Sequence, residues 1–283
     1  MTDRLAQTDD RCHRLFQAGN PCSEDLEAVF RNLCQPLPAS GRPRVIAQLG
    51  QSLDGRIATV TGCSRFINGE DGLTHLHRIR ALCDAVVVGA GTALADNPRL
   101  TVRRVHGPQP VRVVIDRHRR VPQTHHLFTD GEAPTLRLVA GDYRAPEQLP
   151  DLEGVQEVPC LADDARLCPH TVLRVMADYG LMRVFVEGGG VTVSSFLHAG
   201  LIDSLHVLVA PMIIGSGRPA FSLPEIDQLD DALRPNARCV NLGSDMLFAL
   251  DFPESGSASM PEEAGAATSA APAGSPAAPS PRS

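Results

Sequence analysis

The segment Val184-Phe-Val-Glu187-Gly188-Gly189-Gly190-Val-Thr192-Val-Ser194-Ser195 decides the fold. It reads as a short apolar strand closed by an acid, then three glycines, then a stretch with helical spacing. A strand apolar at successive positions is buried on both faces, as in a parallel sheet covered by helices. Glycines let a ligand approach the backbone closely and aim the free N–H groups of the helix start at an anion, so a pyrophosphate fits there. From these residues alone, a turn that merely happens to be glycine-rich fits equally well. Glu187 adds weight to the ligand reading, because it stands at the carboxyl end of the strand, where open α/β sheets place their ligands.

Outward from this segment the same alternation recurs. Strand candidates cover 44–49, 84–88, 111–115, 136–139, 183–186 and 205–210; helical patterns cover 71–82, 171–178 and 191–199. Short buried strands alternating with helices imply a layered α/β fold around a largely parallel sheet. The apolar stretch 246–252 follows a long irregular segment and suits an antiparallel strand at a sheet edge. Near the start, Ser23 is placed to cap a helix carrying Leu26, Val29, Phe30 and Leu33 on one face. Residues 1–40 therefore read as an extension with one amphipathic helix and 41–253 as the folded domain. The Ala/Pro/Ser-rich run 254–283 reads as a disordered tail, having nothing large to bury.

The chain of 283 residues carries a formal net charge of −7, and all 26 of its basic residues are arginine. Without lysine, Schiff-base chemistry and a Walker-type phosphate loop are excluded. An acidic balance with 4% aromatics and no Trp argues against a nucleic-acid surface. No apolar run reaches the roughly 18 residues of a membrane span, and the first twenty positions are too charged for a secretory signal. The eight cysteines form no C-x-x-C pair, so free thiols in a reducing cytoplasm are expected. No metal site is expected: His75 and His77 are two apart on a helix, and His125 and His126 sit in a loop without acidic company.

Further polar candidates lie upstream. Gly89-Ala-Gly91-Thr92 follows a buried strand and opens a short helix, but lacks the third glycine of a dinucleotide fingerprint. Asp96-Asn97-Pro98-Arg99-Leu100-Thr101-Val102-Arg103 has an Asn-Pro turn that sets an acid and an arginine on either side of one loop. Gly50 precedes a Ser52-Leu-Asp-Gly55 turn, and Ser64 and Phe66 precede the helix that carries Arg80.

Taken together, QLGQSLDGRIA (48–58), SRFIN (64–68), LHRIRA (76–81), DAVVVGAGTALADNPRLTVR (84–103), QPVRVVID (109–116), VEGGGVTVSSFL (186–197) and LIDSLHVLVAPMIIGSG (201–217) resemble the reductase domain of riboflavin biosynthesis. That domain is the C-terminal half of the bacterial bifunctional deaminase–reductase. The resemblance implies a dihydrofolate reductase-like three-layer fold with a mostly parallel mixed sheet. It also implies NADPH-dependent reduction of the ribosyl group of an aminopyrimidine ribose 5′-phosphate to ribityl, by a homodimer. Carried over residue by residue, it sets Gly50, Phe66, Thr92, Asp96, Gly189, Gly190, Val191, Thr192, Val193, Ser194 and Ser195 against the cofactor. Ser64, Arg80, Leu100, Arg103 and Glu187 fall against the substrate, with Glu187 and Asp96 as the catalytic candidates. Arg117, just past the strand ending at Asp116, is the candidate for the cofactor's 2′-phosphate, and the apolar stretch 205–214 is the candidate dimer contact. Phe66 stands where the family commonly has Trp. No H-x-E followed by P-C-x-x-C occurs, so the likeness covers the reductase half alone. Two other readings keep less of it: reduction of another small carbonyl or pteridine-like compound, or nucleotide binding without catalysis.

Overall fold

The computed structural model describes residues 15, 23–64, 67–162 and 167–252. Along the chain come α1 (Glu24–Leu33), β1 (Arg44–Ser52), β2 (Arg56–Ala58), α2 (Glu70–Leu82), β3 (Ala85–Gly89), α3 (Ala90–Asp96), β4 (Val111–Ile115) and α4 (His126–Thr129). There follow β5 (Thr135–Ala140), β6 (Val155–Leu161), α5 (Pro169–Asp178), β7 (Arg183–Glu187), α6 (Gly190–His198), β8 (Ser204–Ala210), β9 (Arg218–Pro219), β10 (Asn236–Leu242) and β11 (Asp245–Asp251). The main sheet runs β10-β11-β8-β1-β7-β3-β4-β5-β6. From β8 to β6 the neighbours are parallel, and β11 pairs antiparallel with both β8 and β10.

Alternation along the central strands sorts the apolar side chains into two cores. Val45, Ala47, Val87, Val113, Val184 and Val186 face α5 and α6, meeting Val172, Met176, Val193 and Phe196. Ile46, Val86, Val88, Val114 and Phe185 face the other way, onto Leu26, Phe30, Ile79, Leu82, Ala90 and Ala93 of α1, α2 and α3. The three-layer α/β architecture read from the sequence is thus the architecture found. The helix expected near the start forms as well. The Ser23 hydroxyl accepts from the Leu26 N–H at 3.4 Å, Glu24, Asp25 and Glu27 occupy its first turn, and its four apolar residues are buried.

Several expectations need correction. The strand at 245–251 is not at the edge, because β10 pairs along its whole length. β10 escaped the sequence reading since Asn236-Ala-Arg-Cys239 is exposed and polar, as an edge strand is. β6 is likewise half exposed and carries no buried-strand pattern, and its Pro159 is tolerated because it lies on the opposite edge. The stretch 205–214 cannot serve whole as a dimer contact: β8 is paired on both sides with Leu205 and Leu208 buried, leaving only Pro211, Met212 and Ile213 exposed. Nor are all thiols free. Cys34, which ends α1, is disulfide-bonded, while Cys63, Cys83, Cys160, Cys168 and Cys239 are free. Its partner lies outside the described residues, as do the tail 254–283 and nearly all of the first 22 positions. Among the described residues no helix is long and apolar enough to cross a membrane.

Candidate functional site

A cavity of about 1250 Å³ opens at the carboxyl ends of β1, β3, β4 and β7. That is where α3 and α6 leave the sheet for opposite faces, the crevice in which open α/β sheets bind ligands. Its volume exceeds the roughly 300–1,000 Å³ of ordinary small-molecule pockets, which suits two ligands side by side.

The triple-glycine turn forms one wall, and its glycines are required by backbone conformation at two positions and by close approach at the third. Gly188 and Gly189 both have φ of +62°, the left-handed region that other L-residues enter at a cost. A Cβ on Gly189 would also lie 2.7 Å from the Thr92 hydroxyl. Gly190 has an ordinary φ, but a Cβ there would sit 2.5 Å from the Ala220 carbonyl oxygen. The turn thus brings the first N–H groups of α6, which the helix cannot satisfy itself, up against Thr92 of α3. Thr192 mirrors this contact, its hydroxyl lying 2.6 Å from where a Cβ on Gly89 would be. Two helix starts and two hydroxyls converge on one gap, and the donor set fits a pyrophosphate.

Of the residues expected against the cofactor, Gly50, Thr92, Asp96, Arg117, Gly189, Gly190, Val191 and Thr192 line the cavity. Val193, Ser194 and Ser195 do not, because the helix carries them round to other surfaces. Val193 is packed in the core, the Ser194 hydroxyl accepts from Ser222 N–H at 2.9 Å, and the Ser195 hydroxyl donates to the Val191 carbonyl. Phe66 lies outside the described residues. Gly50 has a structural reason too: a Cβ there would be 1.7 Å from Asn68 Oδ1, so only glycine lets the Asn68 side chain lie on β1.

On the substrate side, Ser64 and Glu187 line the cavity. Arg80 and Arg103 have other primary tasks. Arg80 is 4% exposed and faces Glu187 squarely, Nε donating to Oε2 at 2.8 Å and Nη2 to Oε1 at 2.5 Å. Its Nη1 donates to the Thr101 carbonyl at 2.9 Å. Three of its N–H groups are thereby spent on aiming that carboxylate and on the loop behind it, and Arg80 itself does not line the cavity. Arg103 donates to the Thr101 hydroxyl at 2.6 Å, and its backbone N–H donates to His77 Nδ1 at 3.0 Å. Leu100 is buried with φ of +57° behind these arginines, shaping the loop rather than lining the cleft. Arg104, which the sequence reading passed over, does line the cavity and pairs with Glu70.

The electrostatics mark the same corner. Burial holds the His77 imidazole down to about 3, helped by Arg80, Arg103 and Arg104. The field that keeps a proton off His77 is a field that attracts an anion. Across the sheet, His75 Nε2 and His206 Nδ1 share a buried hydrogen bond of 2.9 Å. His206 is lowered to about 3 by burial, and His75 is lowered well below its ordinary value by burial, then His206 and Arg78. His75 and His77 thus serve separate partners.

These shifts set a sign for stability. The unfolded chain takes up protons on these histidines near 6.5 whereas the folded chain resists them, so unfolding binds protons between about pH 6.5 and 3. Stability is accordingly full above about pH 6.5 and declines below it, by up to about 1.4 kcal/mol per pH unit for each such histidine. Urea unfolding midpoints should hold steady from pH 8 to 7 and drop between pH 6.5 and 5; a flat profile over the lower interval would contradict the assignment.

Fold and cavity together define a three-layer α/β protein with a dinucleotide-sized cleft at the carboxyl ends of parallel strands. The chain belongs to the RibD C-terminal domain family, whose model matches residues 43–248. It is 41% identical over 213 residues to the 2,5-diamino-6-ribosylamino-4(3H)-pyrimidinone 5′-phosphate reductase of Methanothermobacter thermautotrophicus, covering 73% of this chain and 96% of that one. With the riboflavin biosynthesis protein RibD of Bacillus amyloliquefaciens it shares 38% identity over 68% of this chain, but spans only 51% of that protein. Among solved structures, Acinetobacter baumannii RibD superposes with a TM-score of 0.64 at 30% identity, over 75% of this chain and 58% of that one.

Proposed function

We propose that this protein is the NADPH-dependent reductase that converts the ribosyl group of an aminopyrimidine ribose 5′-phosphate to ribityl, its domain spanning residues 41–253. The observation that carries the reading is one continuous cavity bounded by the glycine turn and by the Arg80-held Glu187. The likeness to the archaeal reductase over almost its whole length favours the 2,5-diamino-pyrimidinone over its deaminated counterpart.

A nicotinamide dinucleotide supplies hydride when bound. The chain's own residues bind, orient and exclude water. The glycine turn, Thr92 and Thr192 take the pyrophosphate, and Asp96, at the exposed end of α3, borders the reacting region. Ser64 and Arg104, which line the cavity, take the substrate phosphate in the electropositive corner around His77, to which Arg103 adds its charge from behind. Glu187 receives sugar hydroxyls on the lone pairs that Arg80 leaves spare.

NADPH absorbance followed with and without the phosphoribosylaminopyrimidine tests this reading: loss only with that substrate is expected, and none with it refutes the assignment. Arg117 and Arg120 line the far end of the cavity beyond β4, where a 2′-phosphate would lie. Arg117→Ala should therefore weaken NADPH about tenfold while leaving NADH nearly unchanged, one charge-assisted hydrogen bond being worth roughly 1.5–3 kcal/mol. Equal weakening of both nucleotides would remove Arg117 from that role.

A further inference from the structure

Glu187, Gln48 and His206 stand side by side in register across β7, β1 and β8, so their side chains leave the sheet on one face. Helix α2 lies over that row and satisfies both ends: Arg80 donates to Glu187, and His75 shares a hydrogen bond with His206. The middle residue is left out. Gln48 is 7% exposed, its Oε1 is buried without any hydrogen bond among the described residues, and it lines the cavity. An amide oxygen stripped of water and given no partner destabilises the fold, and a buried polar group in that state needs an explanation. Here the open side of the row faces a ligand cleft.

We propose that Gln48 is a substrate-contact residue whose amide hydrogen-bonds the hydroxyls of the sugar chain held beside Glu187. This inference rests on the reductase reading above and adds a residue to it. A hydroxyl both donates and accepts, which matches a group offering one acceptor oxygen and two N–H donors; a phosphate offers acceptors alone and would leave Oε1 orphaned. The amide carries no titrating proton, so it fixes the sugar's orientation and leaves proton transfer to other groups. Glu187 and Gln48 on adjacent strands then grip the same polyhydroxylated segment from one side.

The test compares Gln48→Met and Gln48→Asn with the wild type in three measurements: kcat and KM for the phosphoribosylaminopyrimidine, NADPH affinity from nucleotide fluorescence, and the thermal midpoint. Met fills the same volume with no polar atom, so the midpoint should hold or rise while kcat/KM falls at least tenfold and NADPH affinity stays within twofold. Gln48→Asn keeps the amide but withdraws it by one methylene, so KM should rise several-fold with the midpoint intact. A structural role would instead lower the midpoint and NADPH affinity along with the rate, and that result in Gln48→Asn overturns the proposal even if Gln48→Met does not fold. Wild-type turnover matched within twofold by Gln48→Met overturns this inference alone. Wild-type protein that leaves NADPH unoxidised with this substrate overturns the reductase reading and this one with it.

Discussion

Glu187→Gln is expected to lower kcat about a hundredfold, the cost of misplacing an orienting group by about an ångström, while NADPH affinity stays within about twofold. The reason lies in the number of acceptors. Arg80 presents Nε–H and Nη2–H to the two carboxylate oxygens. An amide has one oxygen, so one of those donors would face the new NH₂ group and the side chain must rotate away. The group that is to meet the sugar hydroxyls then loses both its charge and its aim. The glycine turn begins at the next residue, yet its conformation is fixed by Thr92, the Ala220 carbonyl and the start of α6, none of which involves the Glu187 carboxylate. Steady-state turnover and NADPH fluorescence titration separate the two effects. Unchanged kcat would remove Glu187 from the reaction, and parallel loss of nucleotide binding would mean that the substitution had distorted the turn.

What could be read from the sequence, and what could not, follows from how far apart the cooperating residues are in the chain. The strand, the acid and the glycines of 184–190 are contiguous, so apolar run, turn chemistry and helix start could be read as one device. The parallel layers followed from the same periodicities. The Arg80–Glu187 pair joins residues 107 positions apart, and nothing in spacing indicates that an arginine on α2 spends its guanidinium on an acid at the end of β7. The resemblance therefore sets Arg80 against the substrate without indicating that it acts through Glu187. Gln48 gave the fainter signal of one amide inside the apolar run Val45-Ile-Ala-Gln48-Leu49. Its meaning appears only when β7 and β8 set Glu187 and His206 on either side of it. The edge strands β6 and β10 were missed for the opposite reason: half of their side chains face water, so the buried-strand pattern that served for the centre does not apply.

Arg80→Met should be the more destructive change, because it removes a partner rather than weakening one. Loss of the guanidinium leaves Glu187, whose side chain is 14% exposed, without its counter-charge, and leaves the Thr101 carbonyl only the longer 3.4 Å bond from Arg103. Breaking a buried pair from one side costs about 3 kcal/mol or more, since the remaining charge stays desolvated. Chemical unfolding should show that loss, and turnover should fall at least as far as in Glu187→Gln. Arg80→Met combined with Glu187→Gln separates folding from chemistry. With no charge left to strand, much of the stability should return, giving a coupling free energy of the sign that marks a direct pair. Activity should not return with it, because the sugar still meets no carboxylate. Additive losses of stability in the double variant would mean that the two side chains act independently, and recovered turnover would mean that the pair serves the fold alone.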